Sequence, residues 1–189
     1  MLKLQKGHYG YIKRKKIHLI AGIIFFVIGI IGFLAIGIIT TGSRRNLLTV
    51  AAVLLVLPMA KLLVVFIALL PFSGRPKEEY DRVAEIVGDG VLDVELVVTA
   101  SDNKSFCMDY CVFTEKDVLV YCAQKPKEPK KAQEHLQGFL DAHELKFTVH
   151  FIPDFKPFCR RIAQEELPKR AECSEDLLKA EGVLRGLSI

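Results

Sequence analysis

Between Leu19 and Phe72 the sequence has no aspartate and no glutamate, and its only arginines, Arg44 and Arg45, lie in a short polar break. No salt bridge can form within that stretch. The chain also lacks a Walker loop, a glycine-rich dinucleotide turn, Gly-x-Ser-x-Gly and His-Glu-x-x-His. Each of these motifs places a chemically required group on a turn or helix, so their absence removes the signatures of several enzyme classes. No Cys-x-x-Cys pair occurs. The five cysteines, Cys107, Cys111, Cys122, Cys159 and Cys173, are odd in number and irregularly spaced. That excludes a regular disulfide framework and fits free, buried thiols in a reducing cytosol. Cys107, Cys111 and Cys122 with His150 lack zinc-site spacing. No metal and no cofactor is expected.

Long apolar runs, by contrast, are present. The 189 residues are 51% hydrophobic and carry a net charge of +4, unevenly distributed. Leu19–Ile39 is an uncharged run of 21 residues, about 31 Å as a helix and enough to cross a hydrocarbon core. It is too long for the apolar region of a signal peptide, which spans roughly 7–15 residues before a small-residue cleavage site. A second run, Leu47–Phe72, is interrupted only by Lys61. The connection TTGSRRN is short, so the expectation is an antiparallel transmembrane hairpin in the lipid bilayer, with helices at about 19–39 and 47–72 within residues 17–72.

Lys3, Lys6, Lys13, Arg14, Lys15 and Lys16 precede the first run; Arg44 and Arg45 lie in the loop; Arg75, Lys77 and Arg82 follow the second. Positive flanks stay on the cytoplasmic side. The basic segment 1–16 is therefore read as an orientation signal, with both termini cytosolic, and no nucleic acid is expected. Gly22, Gly29 and Gly32 share one face of the first helix. Small residues let helices approach closely in lipid, so this face is a candidate packing surface toward the second helix or another copy.

Lys61 is 10 residues before Pro71, about 15 Å along a helix. A charged lysine at such depth costs at least ~2.5–3.5 kcal/mol on insertion scales. Pro58 cannot donate to the Leu54 carbonyl, which lies on the same helix face, so the ammonium has one acceptor within the chain. Competing readings are a snorkelling side chain, an acidic partner in another membrane protein, a neutral amine, and a polar path through a small oligomeric channel or transporter subunit.

After a linker at 73–77, residues 78–189 alternate elements in the order α-β-β-β-α-β-α-α, an α+β domain with a mostly antiparallel sheet. The first helix is KEEYDRVAEIVG. Strands are expected at 91–100, 105–114, 117–124 and 146–153. Leu92, Val94, Leu96 and Val98 should share one face of the first strand, and Phe106, Met108, Tyr110 and Val112 one face of the second. KPKEPKK is read as a linker before a helix AQEHLQGFLDAHEL, which would put His135 and His143 near one face. Two helices follow, near 155–167 and 174–187.

The order α-β-β-β-α-β resembles the core of the restriction-endonuclease-like superfamily. That resemblance implies a metal-binding Asp on the second strand and a Glu-x-Lys on the third. Asp109 falls at the first position and is the one weak catalytic candidate. The third strand ends in Gln124 and Lys125 instead, and Glu115–Lys116 lie in the preceding turn, so the implied site is degenerate. Separately, GHYGYIKRKK, the two-helix hairpin and LPMAK resemble a family of small, uncharacterised bacterial two-helix membrane proteins; this implies shared architecture and no catalytic residues. The leading functional expectation is a non-catalytic membrane protein whose cytosolic domain binds a protein partner, with a membrane partner or homo-oligomer at the hairpin. The alternatives are a membrane-tethered nuclease-like enzyme and the channel subunit.

Overall fold

The computed structural model describes residues 6–42, 46–99, 105–124, 126 and 128–189. Two N-terminal apolar helices are followed by a mixed α/β domain with a mostly antiparallel sheet. The chain divides into two compact units: Ile12–Pro71 forms one, and the residues up to Tyr11 join Phe72–Ile189 in the other. The basic segment 1–16 is thus divided at Tyr11.

In the helical unit, α1 spans Tyr11–Thr41 and α2 spans Leu47–Leu69. Helix α1 starts eight residues before the apolar run, because the basic residues preceding it are good helix formers. The turn is closed by Asn46, which caps α2 by accepting from the Thr49 N–H at 2.8 Å and donating to Thr41 Oγ1 at 2.9 Å. At the far end Lys16 Nζ donates to the Leu70 carbonyl at 3.2 Å, a cation placed on the negative end of a helix. The helices meet along one line. A Cβ on Gly22 would lie 3.0 Å from Leu62 Cδ1, and one on Gly29 3.8 Å from Leu55 Cδ1. Gly37 closes against Asn46 and Leu48, whereas a Cβ on Gly32 would meet nothing within 4 Å.

In the second unit the helices are α3 (Lys77–Val87), α4 (Pro129–Ala142), α5 (Phe155–Gln164) and α6 (Glu175–Leu187). The strands are β1 (Val91–Thr99), β2 (Ser105–Phe113), β3 (Asp117–Tyr121) and β4 (Thr148–Ile152). The sheet order is β1-β2-β3-β4, antiparallel up to β3 and parallel between β3 and β4. The parallel pair follows from the α4 crossover. Helices α4 and α6 cover one face and α3 and α5 the other, with an apolar cluster on each side.

Three expectations are corrected. First, α4 begins at Pro129, inside the charged stretch expected to be a linker. Proline fits the first helical position because its φ is preset and its missing N–H is not needed there. Second, α4 ends at Ala142, with Glu144 at a φ of 59°. His143 is therefore the C-cap, one residue past the end of the helix. His135 packs edge-on against Phe139, and His143 Nδ1 lies 2.8 Å from the Phe139 carbonyl. Third, β3 stops at Tyr121 rather than 124. The turn expected at 101–104 lies outside the described residues.

A further correction concerns the strand faces, because neither long strand alternates continuously. Leu92 and Val94 join the cluster under α3 and α5, whereas Leu96 and Val98 join the one under α4 and α6. In β2, Tyr110 and Val112 take the first side, and Phe106 and Met108 the second. Both strands change face at the same level, between the pairs Val94–Tyr110 and Leu96–Met108. Glu95 lies at that level on β1 with a φ of 57°, and Asp109 lies at it on β2. One left-handed residue resets the two-residue period, and every later side chain on the strand changes face.

Both sheet edges are occupied. Beyond β1, the Val94 N–H donates to the Gly7 carbonyl at 3.1 Å, and the Ile189 N–H to the Val97 carbonyl at 2.8 Å. On β4, Gln133 and Gln137 of α4 bond the Val149 and Phe147 carbonyls, and Gln137 also accepts from the Val149 N–H. Edge groups satisfied in this way are not free to template association.

Candidate functional site

The face change buries two carboxylates. Asp109 accepts the Ala123 N–H at 2.6 Å. Burial pushes its carboxyl up to about 6; Ala123 and the Arg75 charge pull it down, and Glu95 and Glu79 push it further up. Glu95 is fully buried and accepts the Gly10 N–H at 3.2 Å. A Cβ on Gly74 would lie 2.5 Å from Glu95 Oε1, so a larger residue there would displace the Glu95 carboxylate. Arg75 next to it holds Glu79 through two bonds of 2.8 Å.

The segment Lys6–Tyr11 straps across this region. Tyr9 stacks on Tyr80 with ring centroids 4.7 Å apart, and its hydroxyl donates to the Arg75 carbonyl at 3.1 Å. Tyr11 donates to the Ile189 carbonyl at 3.1 Å, and Lys6 Nζ donates to the Ser188 carbonyl. Gly7, with a φ of 83°, passes over a third buried acid, Asp93, and a Cβ there would collide with Asp93 Oδ1. Asp93 is bound by Arg185 at 2.5–3.0 Å, and burial still pushes its carboxyl up to about 6. Arg185 also lies 2.6 Å from Glu181 Oε1, out of line for a hydrogen bond, while Arg170 bonds Glu181 Oε2 at 3.0 Å. Two acids and two guanidiniums therefore balance in the network.

Of the candidates read from the sequence, Asp109 is buried on β2 and engaged with the start of the β3–α4 connection. Glu115 and Lys116 lie exposed in the turn before β3, Gln124 lies past its end, and Lys125 is outside the described residues. Among the described residues, no group of three or more His, Cys, Asp or Glu could hold a metal ion. Cys107, Cys111, Cys122 and Cys159 are buried free thiols, and burial raises them all. His150 instead faces Asp117 at 3.4 Å. The buried Tyr110 hydroxyl has no hydrogen-bond partner among the described residues. Arg75, Glu95, Gly74 and the strap were not foreseen. Their signal was the pair of glycines in GHYG, three residues apart beside a basic cluster.

In the helical unit, Gly22 and Gly29 lie against α2, and Gly32 does not. Helix α2 continues through Pro58. Lys61 is exposed, and among the described residues it has no hydrogen-bond or ion-pair partner, so its ammonium does not bond the Leu54 carbonyl. Leu54, Leu57 and Val64, which flank it, are 59–69% exposed.

The chain matches no family model, no curated protein and no solved structure. The resemblances to the nuclease-like core and to the two-helix membrane proteins therefore rest on the residues and element order alone.

Proposed function

We propose that the protein is a two-helix membrane anchor that presents its α/β domain in the cytosol as a non-catalytic binding module of bacterial type. The observation that carries this reading is the surface of the helices. Both are long and apolar enough to cross a membrane, and only 6% of the most apolar stretch of each is buried. A core helix of a water-soluble protein buries one face, and exposed apolar surface on this scale requires another solvent or a partner. The basic residues at both ends of the hairpin support the orientation with both termini inside. The non-catalytic part of the reading is supported by the engagement of the buried acids: Glu95 accepts from Gly10 of the strap, Asp109 from Ala123 and Asp93 from Arg185.

Retention in membranes after alkaline carbonate extraction is the expected result. In intact cells an impermeant maleimide should label a Ser43→Cys variant in the loop. Cys173, the one thiol that is not buried, should react only after permeabilisation. Release by carbonate, or the reverse labelling pattern, overturns the reading.

A second reading is favoured by one observation: Asp109 lies on the second strand of an α-β-β-β-α-β order, beside Glu95. A membrane-tethered enzyme of nuclease-like fold would bind a divalent cation, and Asp109→Asn would abolish that binding.

A further inference from the structure

We infer that Lys61 is the docking point for a transmembrane helix of a different protein, one that carries an aspartate or glutamate at the same depth. The inference rests on the membrane reading above and adds the chemistry of the partner.

Four observations carry it. The first is direction. Leu48, Leu55 and Leu62 mark the line along which α2 meets Gly37, Gly29 and Gly22 of α1. Lys61 lies roughly 120° around the helix from that line at ~100° per residue. It shares its face with exposed Leu54, Leu57 and Val64, so the hairpin itself leaves this face uncovered.

The second is depth. Lys61 is eight residues from Leu69 and fourteen from Leu47, about 12 Å and 21 Å along the axis. Helical side chains lean toward the helix N-terminus, here the loop end. The lean carries the ammonium away from the nearer end and toward the centre of the span, which opposes snorkelling.

The third is charge. The first acidic residue of the chain is Glu78, beyond both helices. A second copy of the hairpin therefore supplies no carboxylate at this depth, and self-association leaves the charge uncompensated. A different chain with an intramembrane acid compensates it, and intramembrane charges pair in this way.

The fourth is Pro58. It removes the donor for the Leu54 carbonyl, two turns from Lys61 on the same face. The face thus offers an ammonium donor and a vacated carbonyl acceptor, framed by leucine and valine side chains. A carboxyl side chain together with a donor group on a neighbouring helix satisfies both.

The test uses full-length protein in phosphatidylcholine vesicles with labelled leucine-rich transmembrane peptides bearing a central Glu, Gln or Leu, read by energy transfer. The expected result is association of the Glu peptide about tenfold tighter than the Leu peptide, kept in Lys61→Arg and lost in Lys61→Leu. Equal association of the Glu and Leu peptides, or an undiminished preference in Lys61→Leu, overturns the proposal. In native membranes, a photo-cross-linker at Val64 should capture a chain whose membrane span contains an acid, and Lys61→Leu should lose it. Capture of only a second copy, of lipid, or of a span without an acid overturns the proposal. Carbonate extraction of the same membranes separates the two failures. Protein that stays in the membrane without such a contact refutes the docking alone, whereas protein that is released refutes the anchor.

Discussion

Glu95 and Asp109 show how much a single backbone angle decides. Strict alternation from Leu92 to Val98 would keep Glu95 on the face opposite Val94 and Leu96 throughout. The left-handed φ of Glu95 turns the later half of β1 over, and Glu95 and Asp109 both lie buried at that level of the sheet. An ionised carboxylate held in such a place is a liability. Asp109 has a folded value near 6 against an ordinary 3.8. The folded state therefore binds the proton more tightly, so the stability this group contributes is complete below about 4 and lost as pH rises through about 6. Asp109→Asn keeps an oxygen for the Ala123 N–H and removes the charge. It should stabilise the full-length protein in detergent by up to ~3 kcal/mol at pH 8 and change it little at pH 4. Chemical denaturation at both pH values checks this, and an equal shift at both would refute it.

At the scale of elements, the glycines of α1 divide into two kinds. The sequence grouped Gly22, Gly29 and Gly32 by helical spacing, but spacing alone does not say where α2 lies. The hairpin register places Leu62 and Leu55 against the first two and nothing against the third. Gly22→Ile should force α1 and α2 apart and lower the resistance of the hairpin to unfolding in detergent by about 1–3 kcal/mol. Gly32→Ile should leave it unchanged. Equal losses at the two positions would mean that the helices meet along a different line. The start of α4 was obscured for a related reason: two prolines in KPKEPKK read as a linker, although the second is placed where a helix begins.

At the scale of the whole molecule, the α/β domain is closed where the segment Lys6–Tyr11 meets the end of α6 and the residues after it. Lys6 and Tyr11 hold Arg185, Ser188 and Ile189, pairs 178–182 residues apart in sequence. The opening GHYG is thus part of the domain fold as well as the approach to a helix. Gly7→Ala combines a left-handed φ with a Cβ driven into Asp93 and should destabilise the domain by about 1–3 kcal/mol. Gly138→Ala, in α4 with open space around it, is the control and should be neutral or stabilising. Thermal unfolding followed by circular dichroism distinguishes the two, and a Gly7→Ala protein as stable as the wild type would mean the strap is dispensable.

The order of elements, the two apolar helices and the position of Lys61 were settled by the sequence, because hydrophobic period, helix-stop signals and charge depletion are local properties of a few consecutive residues. The face change at Glu95 and Asp109, the side of α1 that receives α2, the outward position of Lys61 and the strap over Asp93 and Glu95 were decided only by the tertiary structure. Each of these depends on groups brought together from distant parts of the chain. Burial, which sets the carboxyls near 6 and leaves the Tyr110 hydroxyl without a partner among the described residues, depends on that assembly in the same way.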